Sequence, residues 1–149
     1  VTTVAYKDGV MAADKMASRD GLRAGNVTKV FKRKGYLIGF SGRVDVAALL
    51  LRWFENGAKE DEFPGPGSDD ELDYSMIVVT PKGVVMFYER FPIPIIMDGE
   101  YFAIGSGRDF AIAAMYMGCD AVRAVEVASA LDCYSGNGVD SVCLGAAAN

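Results

Sequence analysis

The sequence predicts an α+β protein with antiparallel sheets, and three observations carry that prediction. Apolar runs come in pairs across short turn signals, Lys7-Asp8-Gly9 in one case and Lys34-Gly35 in another. Segments with helical spacing are grouped, one after the early strands and two after the middle ones, instead of alternating with strands as in a doubly wound parallel sheet. These helical segments are apolar around most of their circumference, which predicts more than one buried face and two packed sheets held between helices. A length of 149 residues fits one domain, taken as residues 1–149.

The elements follow in order. Residues 3–6 are a strand and residues 10–13 its return, because Asp-Gly between apolar runs is a strong hairpin signal. Residues 18–26 are a polar connecting stretch with Gly21 and Gly25. Residues 28–31 and 36–40 form a second strand pair. Residues 44–54 read as a helix, with Asp45, Arg52 and Glu55 on one face, Val, Ala, Leu, Trp and Phe over the rest, and Asn56-Gly57 as its stop. Residues 57–73 are acidic and contain Pro64 and Pro66, which predicts a solvated loop and not a second domain. Strands at 74–80 and 84–88 flank the turn Pro81-Lys82-Gly83. Residues 89–98, with Pro92 and Pro94, are expected to be extended and irregular, and residues 101–104 are a short strand. A helix over 109–117 stops at Gly118, and Asp120 caps a helix over 121–131. A turn cluster then leads to a last strand at 141–144. There is no internal repeat.

Composition removes several functions. No apolar run reaches the roughly 18 residues of a membrane helix, and the first residues lack the charged and apolar blocks of a signal peptide. A formal charge of -5 and a pI near 4.7 argue against nucleic acid as the partner, since the basic run at 29–34 is short and interrupted. The spacing of Cys119, Cys133 and Cys143 fits no zinc pattern, so they are expected to be reduced, mostly buried thiols of a cytoplasmic protein. No metal or other cofactor is expected. The chain has no histidine, which removes Ser-His-Asp and Cys-His nucleophile systems. An enzyme built from this chain must take its base from a carboxylate, a lysine or a terminal amine.

Two threonines, Thr2 and Thr3, follow Val1. Read alone they are ordinary strand formers. An N-terminal amine can nevertheless activate a threonine hydroxyl, and with a pKa of about 7.7–8.0 it shuttles protons near neutrality.

Five short motifs bear on that choice: "TTVAY" with its return "VMAADKMAS", then Thr28-Lys29-Val30, "LIGFSGRVDVAALL", "AIGSGRDFAIAA" and "DCYSGNGVD". In this order and spacing the chain resembles the N-terminal nucleophile hydrolases, within them the proteasome β-subunit and HslV threonine peptidases. The resemblance runs from Thr2 to about Leu144. It implies a four-layer α/β/β/α sandwich with two antiparallel sheets, and cleavage of peptide or other amide bonds through an acyl-enzyme ester. Carried over residue by residue, it makes Thr2 the nucleophile and its amine the base. Lys29 then lowers the hydroxyl pKa, and Asp14 holds Lys29 charged. Ser106, Asp132 and Ser135 orient the amine, the Gly42 N–H is the oxyanion donor, and Ser18 lies where the family's backbone binds an extended substrate. Each residue also has a plainer reading. Asp14 can simply end a strand, Lys29 can be a surface charge, and Ser106 can cap a helix. Asp132 and Ser135 can make an Asx turn, and Gly42 can be a helix-entry glycine.

The scheme needs a free Thr2 amine, hence removal of Val1, for instance by an aminopeptidase. Counting back from Val4-Ala5-Tyr6 would put Val1 at the nucleophile position instead. Thr2 is preferred because it lies twelve positions from Asp14, and the expectation is that an even separation brings both side chains to compatible faces of a tight hairpin. The family's frequent Arg two positions after the hairpin Asp is Met16 here, and the shorter chain leaves substrate preference outside what the resemblance implies. A polypeptide substrate, a homo-oligomeric ring of six or seven subunits and a possible ATPase unfoldase are implied partners. The alternatives are a small-molecule amidase of the same fold and an inactive assembly subunit that keeps Val1.

Overall fold

The computed structural model describes residues 2–19, 22–64 and 74–145. Strand β1 (Val4–Lys7) turns through Asp8 and Gly9 into β2 (Val10–Asp14). Both turn residues are left-handed, with φ 52° and 80°, as a two-residue turn matched to strand twist requires. Lys34 and Gly35 repeat this geometry between β5 (Val30–Arg33) and β6 (Tyr36–Ser41). Between the two hairpins lie β3 (Met16–Arg19) and β4 (Leu22–Asn26), paired antiparallel with an irregularity between Ala17 and Ser18. The polar connecting stretch of the sequence reading is thus a strand pair. Because β4 is exposed along its whole length, it shows none of the alternation that marks a half-buried strand.

Helix α1 (Val44–Glu55) is followed by a short 3-10 turn at Glu60–Glu62, then β7 (Ser75–Val79), β8 (Val85–Tyr88), β9 (Ile95–Met97) and β10 (Tyr101–Ile104). Helices α2 (Arg108–Tyr116) and α3 (Ala121–Leu131) precede the last strand, β11 (Val139–Cys143). Residues 65–73 of the acidic loop lie outside the described residues. β9, a three-residue edge strand, occupies part of the stretch expected to be irregular. Asp120 caps α3 as its sequence position suggests, accepting from the Arg123 N–H at 2.8 Å.

The described strands pair antiparallel in three sheets, ordered β10-β1-β2-β11, β3-β4 and β5-β6-β7-β8-β9. Alternation along the strands sorts their side chains into separate apolar clusters. Val4, Tyr6 and Met11 of the first sheet share one with Leu37, Ile77 and Val79 of the third. Gly39 on β6 permits that approach, because a Cβ there would stand 2.7 Å from Val4 Cγ1. Ala5, Ala12 and Ala103 belong to a second cluster with small residues of α2 and α3. Ile38, Met76 and Val78 belong to a third with Val46, Leu50 and Trp53 of α1.

Helix α1 was expected to be largely buried, but in the single chain it buries only the stripe Val46, Leu50 and Trp53, and Leu49 remains 50% exposed. One sheet covers one face of a helix, and among the described residues no second layer meets the other face. The cysteines are free but not buried: Cys133 is exposed, and Cys119 and Cys143 are half-buried. No helix among the described residues is long and apolar enough to cross a membrane.

Candidate active site

Thr2 and Thr3 are tied to several neighbouring segments. Thr2 and Thr3 are both buried. The Gly107 N–H donates to the Thr2 carbonyl at 3.1 Å, and the Asp14 N–H donates to the Thr3 carbonyl at 3.2 Å. Gly105, at φ 98°, passes so close that a Cβ would stand 2.1 Å from the Thr2 carbonyl oxygen. The Gly-Ser-Gly stretch therefore clamps the start of β1, and only residues without side chains fit at both of its ends.

Asp14, at the end of β2, is fully buried. Its Oδ1 accepts from the Lys29 ammonium at 2.9 Å and the Thr3 N–H at 3.0 Å. Its Oδ2 accepts from the N–H groups of Met16 at 3.2 Å and Gly136 at 3.0 Å. Four donors match the roughly four lone-pair sites of a carboxylate. Lys29 is no surface charge, being only 7% exposed. Its burial lowers the ammonium pKa below the ordinary lysine value, and the charges of Asp14 and Asp132 oppose this without cancelling it.

A second network runs through hydroxyls. The Thr2 N–H donates to Ser106 Oγ at 3.0 Å. The Ser106 hydroxyl lies 2.6 Å from Asp132 Oδ2 and 3.3 Å from the Thr2 carbonyl, so its one proton goes to the carboxylate. Ser135 donates to the same Oδ2 at 2.7 Å. Its oxygen, 2.8 Å from Thr3 Oγ1, is then the acceptor for Thr3. The Tyr134 N–H donates to Asp132 Oδ1 at 3.2 Å, so the Asx turn is also present. Burial pushes the Asp132 carboxyl up, but the hydrogen bonds from Ser106, Ser135 and Tyr134 outweigh it and hold the group below the usual carboxylate value. Ser106 does not cap α2: the N-cap is Gly107 and there is no side-chain cap bond.

Thr2, Lys29 and Gly42 line one small cleft of about 30 Å³ beside the start of α1. A lysine cation next to a hydroxyl favours its ionised form. Ser18 does not line this cleft; it sits half-buried on β3 beside the irregular pairing. Among the described residues no three His, Cys, Asp or Glu side chains converge as a metal site.

The parity argument for Thr2 is overturned. Across a two-residue turn the opposed positions differ by odd numbers, as Lys7↔Val10 and Val4↔Ala13 do. The residue bonded to the Asp14 backbone is therefore Thr3, not Thr2. Thr2 has the parity of Val4 and Asp14 that of Ala12, and the link between them is Lys29, which is bonded to Asp14 and lines the Thr2 cleft. Thr3 and the N–H groups of Met16 and Gly136 were missed as members of the site. The doubled threonine was the available signal for the first; the other two are backbone contacts that no residue type announces.

The fold is shared with solved proteins. HslV from the eukaryote Trypanosoma brucei matches with a TM-score of 0.71 and 23% identity, over 95% of this chain and 97% of that one. BPH from Thiobacillus denitrificans matches with a TM-score of 0.65 and 18% identity, over 96% of this chain and 97% of that one. The same BPH in complex with epoxomicin gives 0.65 and 18%, over 96% and 98%. No protein-family model and no curated protein sequence matches the chain.

Proposed function

We propose that this chain, on the fold it shares with HslV, is a threonine-type N-terminal nucleophile hydrolase that cleaves amide bonds in polypeptides. The observation that carries the reading is the convergence on Thr2. Its nitrogen is bonded to the Ser106–Asp132 pair, and its cleft contains the buried lysine held by Asp14. Cutting the bond before Thr2 turns that nitrogen into an amine; Val1 itself lies outside the described residues. The Thr2 hydroxyl gives its proton to the amine and its Oγ attacks the scissile carbonyl. The oxyanion is met by the Gly42 N–H, a contact worth about 3 kcal/mol by analogy with other such donors. The amine passes the proton to the leaving nitrogen, the C–N bond breaks, and an ester to Thr2 remains. A water molecule, deprotonated by the same amine, hydrolyses that ester and regenerates the hydroxyl.

The three apolar clusters fit a four-layer order, α2 and α3 on the first sheet, that sheet on the third, and α1 outside, within one domain. The apolar residues left exposed on α1 and α2 fit a cytoplasmic ring of copies working with an ATPase unfoldase.

The test is labelling by a peptide epoxyketone, which condenses with a hydroxyl and an amine of one residue. With Thr2 exposed by a cleavable leader, intact mass and peptide mapping should find one adduct, on Thr2, and Lys29→Ala should abolish it. A free Thr2 that forms no adduct would end the peptidase reading and leave an assembly subunit. An adduct in a protein that cleaves small amides but no peptides would favour the amidase.

A further inference from the structure

The cleft at Thr2 also constrains the substrate. Its remaining walls are Val27, Thr28, Phe40, Val44 and Ala47. Among the described residues that line it, Lys29 alone carries a charge, and that charge is bonded to Asp14 at 2.9 Å. The floor is rigid. Phe40 is 4% exposed and meets Phe31 edge-on, with centroids 6.1 Å apart. The room left, about 30 Å³, is that of two or three water molecules at about 10–15 Å³ each.

In an attack by Thr2 Oγ with the oxyanion at Gly42, the side chain nearest the cleft belongs to the residue whose carbonyl is attacked. We infer that this residue is a small aliphatic one, alanine to valine. An aromatic ring exceeds the room, which Phe40, buried and packed edge-on against Phe31, bounds on one side. An arginine or lysine would bring a second cation to Lys29 with no carboxylate to receive it. A glutamate would have to compete with Asp14, whose geometry with Lys29 is already complete. This inference rests on the proposed function and specifies the substrate class of that same site.

The experiment is a series of peptide epoxyketones identical except for Ala, Val, Leu, Phe, Glu or Arg next to the reactive group. Second-order labelling rates are measured on the protein with Thr2 exposed. Ala and Val should label at least about tenfold faster than Phe, Glu and Arg, the scale on which apolar pockets discriminate. Val44 is half-exposed, so Val44→Ala widens the cleft without opening the core and should raise the Leu rate severalfold relative to Ala. Ala47→Leu fills the cleft and should depress Val relative to Ala. Fastest labelling by Phe, Glu or Arg, or an order unmoved in both variants, overturns the inference while the threonine chemistry stands. Absence of labelling by every member overturns the chemistry and this inference with it.

Discussion

Asp14 and Asp132 are carboxylates of one site held in opposite ways. Asp14 is sealed from solvent, and its donors are an ammonium and three backbone N–H groups, none of which rotates away. Asp132 is half-buried and takes two of its donors from serine hydroxyls. The contrast separates position from chemistry: Asp14 fixes where the cation and the strand start must be, while Asp132 governs hydroxyls whose protons can be redirected.

The largest effect is expected from Asp14→Ala, which takes the carboxylate of the 2.9 Å ion pair away from the buried Lys29 ammonium. Breaking such a pair costs about 3–5 kcal/mol, and urea denaturation measures it. A loss below about 1 kcal/mol would erase the distinction between the two carboxylates. Gly107→Ala comes next. Its Cβ would sit 1.9 Å from Thr3 Oγ1 and 3.2 Å from Asp132 Oδ2, so epoxyketone labelling should fall by at least about tenfold, with a thermal midpoint lower by several degrees.

Asp132→Asn should cost only about 1 kcal/mol of stability, the ordinary worth of a hydrogen bond, yet slow labelling by about tenfold or more. Its pH signature follows from sign. A carboxyl held below its unfolded value contributes stability that is present above the unfolded pKa, near 3.8, and is lost as pH falls through the folded one. The Asn variant should therefore lose less stability than the parent between pH 5 and pH 3, read from denaturation midpoints across that range. The smallest effect belongs to Ser18→Ala. A strand-addition role uses only the backbone, so labelling should stay within about threefold; a larger drop would assign the hydroxyl a role.

Legibility in the sequence followed the range of the forces. The Asp8-Gly9 and Lys34-Gly35 turns and the Asp120 cap were readable because each is decided within four residues. β3 and β4 were not, since a pair with solvent on its faces has no apolar alternation to read. Breadth of apolar surface on α1 predicted burial that the described residues do not supply, since Leu49 stays 50% exposed. At the site, Lys29, Ser106 and Asp132 came from the resemblance carried by the five motifs, since residue type alone left each with a plainer reading. The role of Thr3 depends on strand parity, and across a two-residue turn opposed positions differ by odd numbers, not even ones.

Asp14 is completed by groups from Thr3, Met16, Lys29 and Gly136, the last separated from it by 122 positions. A chain still emerging from the ribosome, with Gly136 not yet made, can neither shield that carboxylate nor seat the lysine. The proposed chemistry thus waits on two separate events, the arrival of Gly136 beneath the carboxylate and the cutting of the bond before Thr2.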